Sequence, residues 1–172
     1  MMQTNEDPLG GAESLEREEI AVRNLRPEDF ESVVRIDAAL KGRRRDEYFR
    51  VKLQQALAET GVKVSLAAEV DDRFAGYLLA RVFYGEFGAA EPVAVLDTFG
   101  VHPDLAGRGI GSALLRQLRT NLLGLGIRRL STEVAWEDQE LLAFFQSSGF
   151  KPAPRIPLDL DLEEARRREE VA

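Results

Sequence analysis

The sequence predicts an α/β (α+β) domain, a sheet flanked by helices, and three observations carry that expectation. β-rich runs and amphipathic helical runs interleave along the chain. One apolar run, residues 93–101, leads through a short loop at Pro103 and a glycine cluster into an amphipathic helix. The length, 172 residues with 44% hydrophobic content, suits one domain around a single core.

Residues 1–17 are polar and acidic with Pro8, Gly10 and Gly11, and are expected to be a disordered tail. The domain is expected over 18–162 and a charged tail, a frayed helix or disorder, over 163–172. Ile20, Ala21 and Val22 start the first strand. Pro27, Glu28 and Asp29 suit the first turn of a helix, where a proline amide is not missed and acids meet the positive helix end. Phe30, Val33, Val34 and Ile36 to Leu40 give that helix its apolar face. After the basic loop Lys41-Gly42-Arg43-Arg44-Arg45, a second helix carries Tyr48, Phe49, Val51, Leu53 and Leu57 at near-helical spacing, with Gly61 as its cap. Residues 62–70 and 74–84 read as a hairpin joined by Asp71-Asp72-Arg73, with Gly76 as a bulge or a close approach. The central strand is 93–101, and the helix after the glycines ends near Gly124-Leu125-Gly126. A strand over 127–134, a helix over 138–148 closed by Gly149, a strand from Phe150 and a last strand over 156–162, with alternating Leu158, Leu160 and Leu162, complete the expected order.

The glycine cluster is Gly107-Arg108-Gly109-Ile110-Gly111-Ser112. Glycine lets backbone N–H groups approach a ligand closely, and the first turn of a helix has unpaired donors and a partial positive charge. Strand, bare turn and helix start together make an anion site, most often for phosphate. The spacing does not fit a dinucleotide fingerprint, since Ser112 stands at the sixth position from Gly107 and Leu114 at the sixth from Gly109. A P-loop lysine is also missing, with no lysine between Lys63 and Lys151.

Val101-His102-Pro103 followed by Ala106-Gly107-Arg108-Gly109-Ile110-Gly111 resembles the signature of the GNAT superfamily, the Gcn5-related N-acetyltransferases, with Ala106 where the family carries Gln or Arg. The resemblance spans residues 18–162. It implies a mixed sheet splayed between its fourth and fifth strands, with acyl-coenzyme A wedged in the gap. It implies that amides of Gly107 to Ser112 hold the pyrophosphate, with Arg108 adding charge or standing solvated, and Ser112 donating its hydroxyl or capping the helix. Main chain at Phe99, Gly100 and Val101 is expected to pair with pantetheine, with Gly100 easing a bulge and an amide near Phe99 or Val101 polarising the thioester carbonyl. A second cofactor segment is implied at Asp138 and Phe145, before Gly149-Phe150. Relatives often carry Tyr where Phe145 stands, and phenylalanine cannot protonate a leaving thiolate; Ser147 and Tyr84 are alternative hydroxyls. Core packing is the other reading of Phe144 and Phe145. His102 is read as surface. The N-terminal helices are implied as the acceptor wall, where Arg43 to Arg45 contact an acidic group or stay solvated.

A base must take a proton from the attacking amine. Asp97 interrupts the apolar run of the central strand and so needs partners. It is either that base or a carboxylate tied to backbone or an arginine. Glu133 is second, Glu86 and Glu91 third. Cysteine is absent and there is one histidine, which excludes disulfides, zinc thiolates, a cysteine nucleophile and a multi-histidine metal site. No metal is expected. Net charge is -7, a poor surface for nucleic acid. No window is long and apolar enough for a membrane span, and the N-terminus is not a signal peptide. The expected function is acetyl-coenzyme A-dependent transfer to a primary amine, of a small molecule or a protein, by direct attack in a ternary complex in the cytoplasm. Homodimerisation is left open, and the alternative is a coenzyme A-binding module without robust catalysis.

Overall fold

The computed structural model of the chain describes residues 19–57, 62–84 and 90–171. The disorder expected over 1–17, the Gly61 cap and Glu86 lie outside these residues. Two compact units divide at Glu133 and Val134.

The first unit holds a five-stranded sheet in the order β1-β2-β3-β4-β5. Its strands are β1 (Ile20–Asn24), β2 (Leu66–Val70), β3 (Arg73–Phe83), β4 (Val93–Val101) and β5 (Leu130–Thr132). The first four pair antiparallel and β5 joins β4 in parallel, so the sheet is mixed. Asp71 and Asp72, both at positive φ (50° and 59°), turn β2 into β3. Short polar side chains tolerate the left-handed region that a tight hairpin requires. Helices α1 (Phe30–Lys41) and α2 (Asp46–Ala56) cover one face, and α3 (Ile110–Gly124) covers the other.

The two faces are read at adjacent residues of β3. Tyr77 turns toward α2, its ring edge-on to Phe49 at 5.9 Å, within a core of Leu25, Val33, Ile36, Leu53 and Leu79. Gly76 turns toward α3, and a Cβ there would lie 3.1 Å from Ile110 Cγ2. Both readings of Gly76 therefore hold: a bulge precedes it, with Ala75 the extra residue between the pairs Ala68–Gly76 and Glu69–Phe74, and the helix packs closely over it.

Pro27–Asp29 forms a 3-10 turn ahead of α1, and Asp29 ties it to the sheet. Arg23 on β1 donates from Nη1 and Nη2 to the two Asp29 carboxylate oxygens at 2.8 Å each, and from Nε to Glu69 at 2.8 Å. The Arg26 amide adds a bond at 2.8 Å. Burial alone pushes the Asp29 carboxyl up, but the Arg23 and Arg26 bonds outweigh it and hold the group below its ordinary value of 3.8. A depressed carboxylate stabilises the fold above its unfolded value, and that contribution is lost as pH falls through the folded value. Asp29→Asn is expected to cost about 2 kcal/mol at neutral pH. Urea melts across the acid range should show the gap to the parent closing below about pH 4; a gap that stays constant contradicts this account.

The second unit contains α4 (Gln139–Ser147) and α5 (Leu162–Val171). No strand forms among residues 150–161, so both strands expected after Gly149 are absent. Pro152, Pro154 and Pro157 supply no amide for a ladder. The alternating leucines meet no facing layer: Leu158 and Leu160 are 89% and 72% exposed. Asp161 ends the segment by accepting from the amides of Glu163 and Glu164, each at 2.9 Å, which starts a helix where the tail was expected to fray. The strand expected over 127–134 shortens to the three residues of β5.

Candidate active site

β5 pairs with β4 only at Ala94–Leu130, Val95–Ser131 and Leu96–Thr132. Thr132 closes the pairing by donating its hydroxyl to Leu96 O at 2.9 Å. Beyond Leu96, β4 continues to Val101 with no strand on that edge among the described residues, so the sheet opens along this half of the strand.

The opening begins at a bulge. β3 pairs Leu79 with Thr98 and Ala80 with Leu96, which leaves Asp97 as an extra residue. The sequence reading put this irregularity at Gly100; the structure puts it at Asp97. Gly100 instead makes room for Tyr77, because a Cβ there would lie 2.8 Å from the ring. The bulge also changes which main-chain groups face the gap. Before it, the Ala94 amide turns to β5 and bonds Arg129 O at 2.9 Å; after it, the His102 amide turns to β3 and bonds Ala75 O at 2.8 Å. Alternation along the strand then directs the main-chain groups of Phe99 and Val101 toward the gap.

On the helix side, Asp97 and Thr98 both reach α2. Consecutive residues of a regular strand point to opposite faces, and the bulge is what permits two neighbours to share one. Lys52 Nζ donates to Asp97 Oδ2 at 2.5 Å, and Arg81 Nη2 lies 3.6 Å from the same oxygen. The Thr98 hydroxyl is 3.3 Å from Tyr48 Oη. Asp97 thus has the partners that a charge in an apolar strand needs, a lysine nearer than an arginine. Glu133 is exposed, one residue past the last pair of β5.

At the far end of β4, a 3-10 turn (Pro103–Leu105) leads into the glycine loop. His102 caps that turn by accepting from the Asp104 amide at 3.3 Å, so it is a half-buried cap. Gly107 and Gly109 sit at φ 77° and 84°, left-handed positions that favour glycine, and nothing lies within 4 Å of a Cβ built at either. Gly109 is the cap of α3, which corrects the capping role considered for Ser112; Ser112 is exposed in the first turn. The first main-chain bond of the helix runs from Ala113 to Gly109 O at 2.9 Å. The amides of Ile110, Gly111 and Ser112 precede it and border an uncovered glycine surface, a donor set that fits a phosphate-bearing ligand. Arg108 lies in this exposed loop.

In the second unit, Asp138 caps α4 by accepting from Leu141 N at 3.2 Å. Phe145 is buried, with ring centroids of Phe144 and Phe150 at 5.4 and 4.9 Å. Phe145 packs among these rings, and Phe144 is the more exposed of the pair. Among the described residues, no cluster of His, Asp or Glu could hold a metal ion, and no helix is long and apolar enough to cross a membrane.

A family model described as the acetyltransferase (GNAT) family matches residues 20–150. The chain belongs to this family. An aminoglycoside N(6')-acetyltransferase type 1 of Stenotrophomonas maltophilia is 29% identical over 107 residues, 61% of this chain and 70% of that protein. The aminoglycoside N-acetyltransferase AAC(6')-Iy, solved in complex with CoA, superposes with a TM-score of 0.70 at 18% identity, covering 84% of this chain and 96% of that one. A ribosomal-protein-alanine N-acetyltransferase from Brucella melitensis biovar Abortus 2308 gives a TM-score of 0.67 at 18% identity, covering 84% and 100%. At these identities the solved structures speak to the fold, which is that of a GNAT N-acetyltransferase.

Sequence reasoning put the N-terminal helices at the acceptor wall but named neither Tyr48 nor Lys52 of α2 as a site residue. Arg45, Tyr48 and Lys52 recur at the spacing of one helix face, a signal that was present in the sequence. Arg45 pairs with the buried Asp37 at 2.5 Å and lies over the Tyr48 ring at 4.5 Å, while Lys52 Nζ lies 5.5 Å from the centroid of the same ring. Arg44 pairs with Glu31 and Asp46 while half exposed to solvent, so two of the three arginines have carboxylate partners within the protein and Arg44 also stays solvated.

Proposed function

We propose that the chain is an acetyl-coenzyme A-dependent N-acetyltransferase that moves an acetyl group to a primary amine by direct attack in a ternary complex. The observation that carries this reading is the half of β4 that β5 leaves uncovered, ending at a glycine-opened helix. In the proposal, the amides from Gly107 to Ser112 hold the pyrophosphate and the Phe99 and Val101 main chain pairs with the pantetheine arm. One of these β4 amides meets the thioester carbonyl as charge develops on it. Asp97 takes the amine proton, with Glu133 as the second candidate. Coenzyme A supplies the activated acetyl group when bound.

The acceptor is proposed to be a small-molecule amine, in keeping with the aminoglycoside relatives, and the reaction to run in the cytoplasm. Release of free thiol from acetyl-coenzyme A, measured against a panel of aminoglycosides, simple amines and peptides with mass analysis of the products, tests both statements. Acetylated peptides with unmodified small amines would move the acceptor to proteins. Thiol release with no acceptor in the panel would remove the transferase reading.

Ala106 replaces the Gln or Arg of the family pattern and lies exposed beside Gly107. Main-chain donors do the binding in this proposal, so Ala106→Gln is expected to leave acetyl-coenzyme A affinity unchanged or raise it. Calorimetry giving a large loss in a folded Ala106→Gln protein would mean that the loop does not present its amides to the ligand.

A further inference from the structure

Transfer of an acetyl group from sulfur to nitrogen leaves a thiolate that must be protonated, and neither hydroxyl considered from the sequence belongs to the open half of β4 or to the helix packed beside it. Ser147 donates within its own helix to Phe144 O at 2.8 Å. Tyr84 follows β3 at the end that pairs with Val93, opposite to the open half of β4, and is 66% exposed. Tyr77 is fully buried; burial, with Asp37 nearby, pushes its phenol well above the ordinary tyrosine value, and its hydroxyl has no hydrogen-bond partner. It is held too tightly as the neutral phenol to pass a proton on.

We infer that Tyr48, acting through the Thr98 hydroxyl, supplies the proton to the departing sulfur. The inference rests on the proposed acetyl transfer and concerns the same site. Three features support it. Tyr48 Oη is 3.3 Å from Thr98 Oγ1, and both residues are only partly buried, so a ligand can reach them. Thr98 lies in the part of β4 that β5 leaves uncovered, one residue before Phe99, whose main chain is directed to the gap. The bulge puts Thr98 on the same face as Asp97, so proton acceptor and proton donor stand on adjacent residues. The side chains of Arg45 and Lys52 also lie near the Tyr48 ring, at 4.5 and 5.5 Å from its centroid, and hold it beside β4.

The proton count closes without another reactant than water. The amine lone pair forms the C–N bond, and its surplus proton leaves to Asp97 and then to solvent. The C–S bond breaks with its electron pair on sulfur. Sulfur takes the proton of Thr98 Oγ1 as that oxygen takes the phenolic proton, and solvent restores Tyr48. Tyr48 is thus a positioning and relay residue, and Thr98 is the group that meets the sulfur.

Two measurements test this. Tyr48→Phe and Thr98→Val are each expected to lower kcat by roughly 10²-fold with KM for acetyl-coenzyme A little changed, and the double variant to lose no more than either alone. Thr98→Ser, which keeps the hydroxyl, should retain most of the activity. Independently of turnover, ultraviolet titration of the thiol of bound coenzyme A, blanked with the desulfo-coenzyme A complex, should show ionisation about one pH unit higher in Thr98→Val than in the parent, because a donor aimed at sulfur favours thiolate. Unchanged turnover in Tyr48→Phe overturns the inference. So does a loss that Thr98→Ser shares while the bound thiol titrates alike in both proteins. If the parent does not bind coenzyme A, the proposed function itself fails, and this inference with it.

Discussion

Asp97→Asn should turn over acetyl-coenzyme A and a good amine acceptor roughly 10²-fold more slowly than the parent, the scale of a lost general base, with cofactor affinity unchanged. The substitution keeps the side-chain shape and one acceptor oxygen, so the bond from Lys52 Nζ, 2.5 Å in the parent, has a partner to go to. What it removes is the charge. Lys52 and Arg81 are then left facing a neutral amide. Lys52 and Arg81 are 21% and 32% exposed, and solvent screens the loss, so the cost in stability should be about 1 kcal/mol and visible as a small drop in Tm. That structural cost is the rival explanation for lower activity, and pH separates the two. A base is needed less as the amine arrives already deprotonated, so the deficit of Asp97→Asn should shrink as pH rises. A counterion lost from between two cations gives a deficit that does not depend on the state of the amine. A pH-independent deficit would make Asp97 a holder of Lys52 and Arg81 and would leave Glu133, one residue past the end of β5, as the next base to test.

What was readable in the sequence was local. The β2–β3 turn, the extent of β4 and the span of α3 rest on residue type and spacing: two aspartates that accept positive φ, nine residues of apolar strand, glycines followed by an apolar stripe. The bulge at Asp97 was not readable, because it is a property of how β4 registers against β3 and no residue of β4 announces it. Gly100 stands out in the sequence, but only the pairing shows Tyr77 lying across it and the bulge lying at Asp97. The alternating leucines at 158, 160 and 162 carried a strand pattern that needs a neighbouring strand, which a pattern cannot supply. Tyr48 was read as part of an apolar face. Its ring does pack against Phe49 at 5.0 Å, but its hydroxyl is what reaches β4. An aromatic residue with a polar end belongs to both readings, and the three-dimensional neighbour decides which one matters.

The glycine turn gives the second large effect, and the geometry selects the variant that tests it. Gly109→Val puts a β-branched side chain at φ 84°, so any lost affinity would be mixed with backbone strain. Gly111 is in the first turn of α3 and is not among the residues at positive φ. Valine is a somewhat better helix former than glycine, so Gly111→Val should fold as well as the parent or slightly better. Its isopropyl group would stand beside the amides of Ile110, Gly111 and Ser112 and block the close approach of a phosphate. Acetyl-coenzyme A affinity is expected to fall at least tenfold, on the order of 1.4 kcal/mol. Calorimetry reads this directly, and thermal stabilisation reads it again. A ligand at about a hundred times the parent Kd stabilises the parent by about 2.7 kcal/mol, and a tenfold weaker variant by about half of that at the same concentration. A Gly111→Val protein that melts like the parent and binds acetyl-coenzyme A equally well would show that the pyrophosphate does not sit on these amides, and the site along β4 would have to be entered by the cofactor from another direction.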